Sequence, residues 1–158
     1  MHVEESVTVR RPAAVVFSYL EERTHDSEWM VSVSESEWLD PAQQIGVGRR
    51  GRMVMKVMGR RAEYVDEVSE YVPGRRIAHR TIEGPLPLST ACICEPVDGG
   101  CRVTVLGETE RAPGGRVLGP LIAPVVARVV RRGFREDLAR LKTVLEGKGP
   151  AGGGREVR

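Results

Sequence analysis

Few side chains in this sequence offer chemistry, and most of them lie on stretches that alternate like strands. His79 sits between Ile77 and Thr81 at a spacing of two, so all three share one strand face. An imidazole titrates near neutral pH, which makes His79 the leading candidate for general acid/base work. The alternative is a structural or surface histidine. Tyr64 shares a face with Ala62 and Val68 and could place a hydroxyl in a cavity; equally, it could pack with that hydroxyl at the rim. Ser89 and Thr90 could donate a hydrogen bond, and Ala91 follows them on the same strand. No G-x-S-x-G context activates either hydroxyl, so a serine nucleophile is not expected. His25 and Asp26 are neighbours in a segment that reads as a surface helical turn. Asp137 projects near the apolar face of the last helix. We expect it at the edge of a seam formed by Leu138, Leu141 and Leu145.

Cys92, Cys94 and Cys101 complete the reactive set. Their spacing is not C-x-x-C, and no histidine or second cysteine pair completes a zinc pattern, so no metal is expected. They read as small buried hydrophobes. No dinucleotide glycine fingerprint or P-loop occurs, and no cofactor is expected.

These residues need elements to position them. Val3 to Arg10 alternates apolar and polar residues and reads as a half-exposed strand. Pro12 suits a first helical position, and Ala13, Val16, Phe17 and Leu20 follow at helical spacing. Strands follow over Val31 to Leu39, Arg49 to Met58, Arg61 to Val72, Arg75 to Ile82, Leu88 to Glu95 and Cys101 to Glu110. Gly59-Arg60, Pro73-Gly74 and Asp98-Gly99-Gly100 are the turns. Met53, Met55 and Val57 form the apolar face of their strand. Methionines are adaptable and suit a pocket for variable apolar ligands. Such closely spaced hairpins make an antiparallel sheet of about seven strands.

Gly115 to Glu146 is one long amphipathic helical run. Ile122, Val126, Val129, Val130, Gly133, Phe134, Leu141, Val144 and Leu145 project to one broad face. Arg128, Arg131, Arg132, Arg135 and Lys142 project to the other. That arginine face reads as solvated surface, with contact to acidic lipid headgroups or a partner as the alternative. Pro120 and Pro124 predict that regular helix starts near one of them or kinks there. The class is therefore α+β, with one domain over 1–146 and a Gly-rich, disordered tail over 147–158.

With 24 Lys and Arg against 22 Asp and Glu, the net charge is +2, which argues against a nucleic-acid binder. No apolar run of 18 residues occurs, and the start of the sequence carries no apolar signal core. We expect a cytoplasmic protein without stable membrane insertion. Its oligomeric state is not encoded in any pattern here.

The order and spacing of four segments resemble the START-like helix-grip superfamily, in particular its bacterial SRPBCC members labelled polyketide cyclase/dehydrase or lipid transport. They are VTVRRPAAVVFSYL with Trp29 shortly after, IGVGRRGRM, EVSEYVPGRRIAHRTIEGP and FREDLARLKTVLE. The resemblance covers residues 3–146. It implies a curved sheet gripping the C-terminal helix, with an apolar cavity between them. Met53, Met55, Val57, Tyr64, His79, Thr81, Ser89, Ala91, Ile122, Val126 and Val130 are the expected lining. Three functions follow as expectations. The first is binding of a lipid, isoprenoid or polyketide-like molecule. The second is an aromatase/cyclase-type enzyme using His79 and Tyr64. The third is a protein-interaction module without ligand.

Overall fold

The computed structural model describes residues 1–110 and 114–147. The expected tail beyond Gly147 and the Ala112-Pro113 turn lie outside them. Seven strands form one antiparallel sheet: β1 (His2–Val9), β2 (Val33–Trp38), β3 (Arg50–Val57), β4 (Arg60–Val72), β5 (Arg76–Glu83), β6 (Ser89–Val97) and β7 (Gly100–Glu108). Their spatial order is β1-β7-β6-β5-β4-β3-β2, so a meander from β2 to β7 is completed by the first strand. Between β1 and β2 come α1 (Ala13–Glu21), a single 3-10 turn (Arg23–His25) and α2 (Asp26–Trp29). The long α3 (Gly115–Gly147) follows β7. This curled sheet with a long C-terminal helix is the helix-grip fold.

Alternation decides which face each strand turns to the core. Val7, Val9, Val103, Val105, Cys92, Cys94, Ile77, Val68 and Trp38 all join one cluster on the concave side. That cluster is closed at one end by α1, through Val16, Phe17 and Leu20, and by Leu138, Leu141 and Leu145 of α3. Each of these three leucines is at most 2% exposed. Each contributes roughly 1.5–3 kcal/mol by leaving water. Trp29 is 2% exposed and anchors the same core. All three cysteines are free thiols, and burial pushes the Cys92 thiol up to about 12.

Two expectations about α3 change. The helix runs unbroken from Gly115 through Pro120 and Pro124, rather than starting at one of them. Both prolines are exposed, so the carbonyls left without an intrahelical donor can turn to water. Val129, expected on the inner face, is 66% exposed, and it lies on the outer side with Leu121 and Val125. The first half of the helix is thus apolar on both sides. Asp137 stands beside the leucine seam, as expected. Its Oδ1 accepts the backbone N–H of Val31 at 2.8 Å and ties α3 to the corner after α2. Burial pushes its carboxyl upward.

Candidate functional site

The concave face has a polar centre that starts from Arg23. Its 3-10 turn follows α1 and points the side chain under the sheet, where the residue is 3% exposed. A guanidinium there requires paired carboxylates. Nη1 and Nη2 donate to the two carboxylate oxygens of Asp66 at 2.8 and 2.7 Å, a planar fork. Nε donates to Ser36 Oγ at 3.1 Å, and Ser36 donates to Asp26 Oδ2 at 2.7 Å. Gly51 makes the room, since a Cβ there would lie 1.5 Å from Arg23 Nη1.

His79 completes the cluster. Its Nδ1 lies 3.3 Å from Asp66 Oδ1, within ion-pair range but off the line of a hydrogen bond. Nδ1 is buried, while the side chain is 22% exposed. The accessible part of the ring is therefore the far edge that carries Nε2. Trp38 stands beside it, with ring centroids 6.4 Å apart. The guanidinium carbons of Arg49 and Arg23 lie 4.1 and 5.2 Å from the Trp38 ring centre.

The two aspartates are shifted in opposite directions for physical reasons. Asp26 is pushed up to about 6, chiefly by burial, with Ser36 and Arg23 acting against it. Burial also acts upward on Asp66, but His79 and Arg23 outweigh it and hold that carboxyl below the usual carboxylate range. At neutral pH, Asp66 is thus a fixed anion that orients a guanidinium and stands beside an imidazole.

Beyond this centre the concave face turns apolar. Met53, Met55 and Val57 of β3 lie on it, with Met53 paired to Tyr64 and Met55 to Ala62. An open groove of about 430 Å³ is lined by Val57, Ala62, Tyr64, Pro85 and Leu86, with Arg60, Arg61 and Glu63 at its rim. That volume is in the range of small-molecule sites. The Tyr64 hydroxyl is buried and has no hydrogen-bond partner among the described residues. Gly84 crosses over its ring, where a Cβ would come within 2.4 Å. Ile122, Val126 and Val130 of α3 are only half-buried, on the helix face that Leu141 continues.

His79, Tyr64, Thr81, Met53, Met55 and Val57 therefore share the concave face. Ser89 and Ala91 do not. Ala91 pairs with Ala78 and Leu106 on the convex side, and Ser89 pairs with Arg80 and Glu108. The core residues Cys92 and Cys94 set the phase of β6, so Thr90 faces inward and its two neighbours face out. Asp26 is 6% exposed rather than part of a surface turn. His25 instead stacks on Tyr19, with centroids 4.3 Å apart. Sequence reasoning missed Arg23, Ser36 and Asp66. Of these, Asp66 had a signal: the alternation that pairs Tyr64 with Val68 passes through it.

Comparison with known proteins fits this geometry. The family model described as polyketide cyclase / dehydrase and lipid transport matches residues 1–146. The chain belongs to that family. Solved structures agree on the fold of this family member. The Zhui aromatase/cyclase from Streptomyces sp. R1128 superposes with a TM-score of 0.79 at 23% identity, covering 98% of each chain. A protein of Thermus thermophilus, TTHA0849, gives 0.78 at 17% identity, over 94% of this chain and 99% of its own. A START superfamily protein from Mycobacterium smegmatis gives 0.75 at 14%, over 93% and 98%. No curated protein resembles the sequence closely enough to count as a relative.

Proposed function

We propose that this family member binds a small apolar or amphipathic molecule, of lipid, isoprenoid or polyketide type, between β3–β5 and the first half of α3. One observation carries this reading. Two apolar walls, Met53–Met55–Val57 and Ile122–Val126–Val130, are both left half-buried, while the leucine seam further along the same helix is fully closed. Apolar surface left open in this way stabilises the chain only when something covers it. The unpartnered Tyr64 hydroxyl and the far edge of His79 supply polar contacts within that wall.

The test is native mass spectrometry of the purified full chain, with titration of the fluorophore 1-anilinonaphthalene-8-sulfonate. A bound apolar compound, or saturable binding that Met55→Trp and Val126→Trp each weaken about tenfold or more, supports the reading. A chain that is always empty and binds no probe would sink it, and would favour the interaction module.

A second reading is an aromatase/cyclase-type enzyme, favoured by the Arg23–Asp66–His79 chain. Asp66 stands 3.3 Å from the buried Nδ1, which leaves Nε2 to accept a proton from a carbon between two carbonyls and return it to an oxygen. His79→Gln separates the readings. An enzyme loses its effect on the products of a poly-β-keto thioester and keeps its probe affinity. A binder shows no such product change with either histidine or glutamine.

A further inference from the structure

The outer face of α3 has no partner in the fold. Val117, Leu118, Leu121, Val125 and Val129 are between 53% and 84% exposed. They fall on one side of the helix, about 100° round from the adjoining row of Ile122, Val126 and Val130. An apolar stripe this long costs free energy in water unless a surface takes it up. The charge around it is one-sided. From Gly114 to Arg135 the sequence has five arginines and no acid. Arg131 and Arg135 reach Glu5, and Arg132 reaches Glu136. Arg128 makes no ion pair among the described residues, and the Arg132 side chain is 82% exposed. Both project from the stripe's own face, at its C-terminal end.

A second observation comes from the same end of the sheet. The β3–β4 turn carries Met58, which is 98% exposed and has a positive φ of 51°. Lys56, Arg60 and Arg61 flank it in sequence, with Arg61 3.7 Å from the Glu63 carboxylate. Register places this turn at the end of the sheet where β7 finishes and α3 begins. Val57 pairs with Arg60 there, as Ser89 pairs with Glu108. Two apolar points, each beside cations, thus stand at the same end of the sheet.

We propose that this end of the molecule docks on a bilayer surface bearing anionic headgroups. Leu118, Leu121, Val125 and Met58 enter the boundary between headgroups and acyl chains. Arg128, Arg132 and the turn cations meet phosphates. A guanidinium fork fits a phosphodiester, and interfacial helices combine an apolar face with such basic flanks. A second copy of the chain fits less well, because its stripe also offers arginines and no acid before Glu136. The inference rests on exposure and charge, so it stands or falls separately from ligand binding in the groove.

The experiment is co-sedimentation of the full chain with vesicles of phosphatidylcholine mixed with phosphatidylglycerol, against phosphatidylcholine alone. Binding should require the anionic lipid and weaken as salt is raised. Arg128→Gln with Arg132→Gln should lower affinity roughly 25-fold. Leu121→Gln with Val125→Gln should lower it on the order of tenfold or more. These positions are exposed, so thermal melts should match the parent chain. If a variant misfolds, the unmodified chain decides through its lipid and salt dependence, and the tryptophan in Val125→Trp should shift to the blue on vesicles. Equal pelleting with both vesicle types, or none, overturns the proposal. So does a solution dimer that the stripe variants dissociate.

Discussion

The two ends of the concave face are built from similar residues and finished differently. At the end capped by α1, Leu138, Leu141 and Leu145 meet Val9, Val16 and Val103 with almost no exposure. At the other end, Met53, Met55 and Val57 of the sheet and Ile122 and Val126 of the helix are left half-buried. A single helix makes both, and its Leu-rich seam lets the first half stay uncovered without loss of the fold. The Arg23–Asp66–His79 cluster stands between them. Hydrophobicity alone therefore does not say where a core ends; completeness of packing does.

The contrast breaks most readily at the boundary. Asp66→Ala removes both bonds of the fork and leaves the buried Arg23 guanidinium with only Ser36 and the longer 3.8 Å contact to Asp26, both at Nε, and should destabilise by about 3–5 kcal/mol in urea unfolding. A loss below about 1 kcal/mol would mean the cluster is not buried as described. Leu141→Ala at the closed end should cost about 2–5 kcal/mol, while Val126→Ala at the open end should cost under about 1. Equal losses would erase the distinction between the ends.

The pH profile sharpens it further. Asp66 has a folded-state pKa below its ordinary value, so its stabilising share is present above about pH 4 and fades as pH falls through the folded value. Asp26 runs the other way. Its folded value of about 6 exceeds the usual 3.8, so stability declines as pH rises between them. Asp26→Asn should remove that decline in urea titrations across this range. An unchanged profile would show that Asp26 is not desolvated.

Much of this was legible in the residues. Period-two alternation and the Pro-Gly and Gly-Gly turns placed each strand within two or three residues. Leu138, Leu141 and Leu145 marked the seam by spacing alone. Two things escaped. The phase of β6 turns on which neighbour reaches the core, and Ser89-Thr90-Ala91 carries too little contrast to decide it. The buried Arg23 escaped because a charge in a short turn reads as solvated until a carboxylate from β4, 43 residues on, is brought to it. Tertiary pairing of charges has no local period to read.

The pairing of β1 with β7 carries a last consequence. His2 lies opposite Glu108, so the first strand waits for the last before its ladder can form. Closing a loop of that length is entropically slow, and non-local topologies fold in milliseconds to seconds. Since α3 rests largely on β1, the grip itself assembles last. During synthesis, the chain would hold an unpaired edge and an open trough until the final helix has emerged. Hydrogen-exchange pulse labelling should therefore find the β1 amides among the last to gain protection.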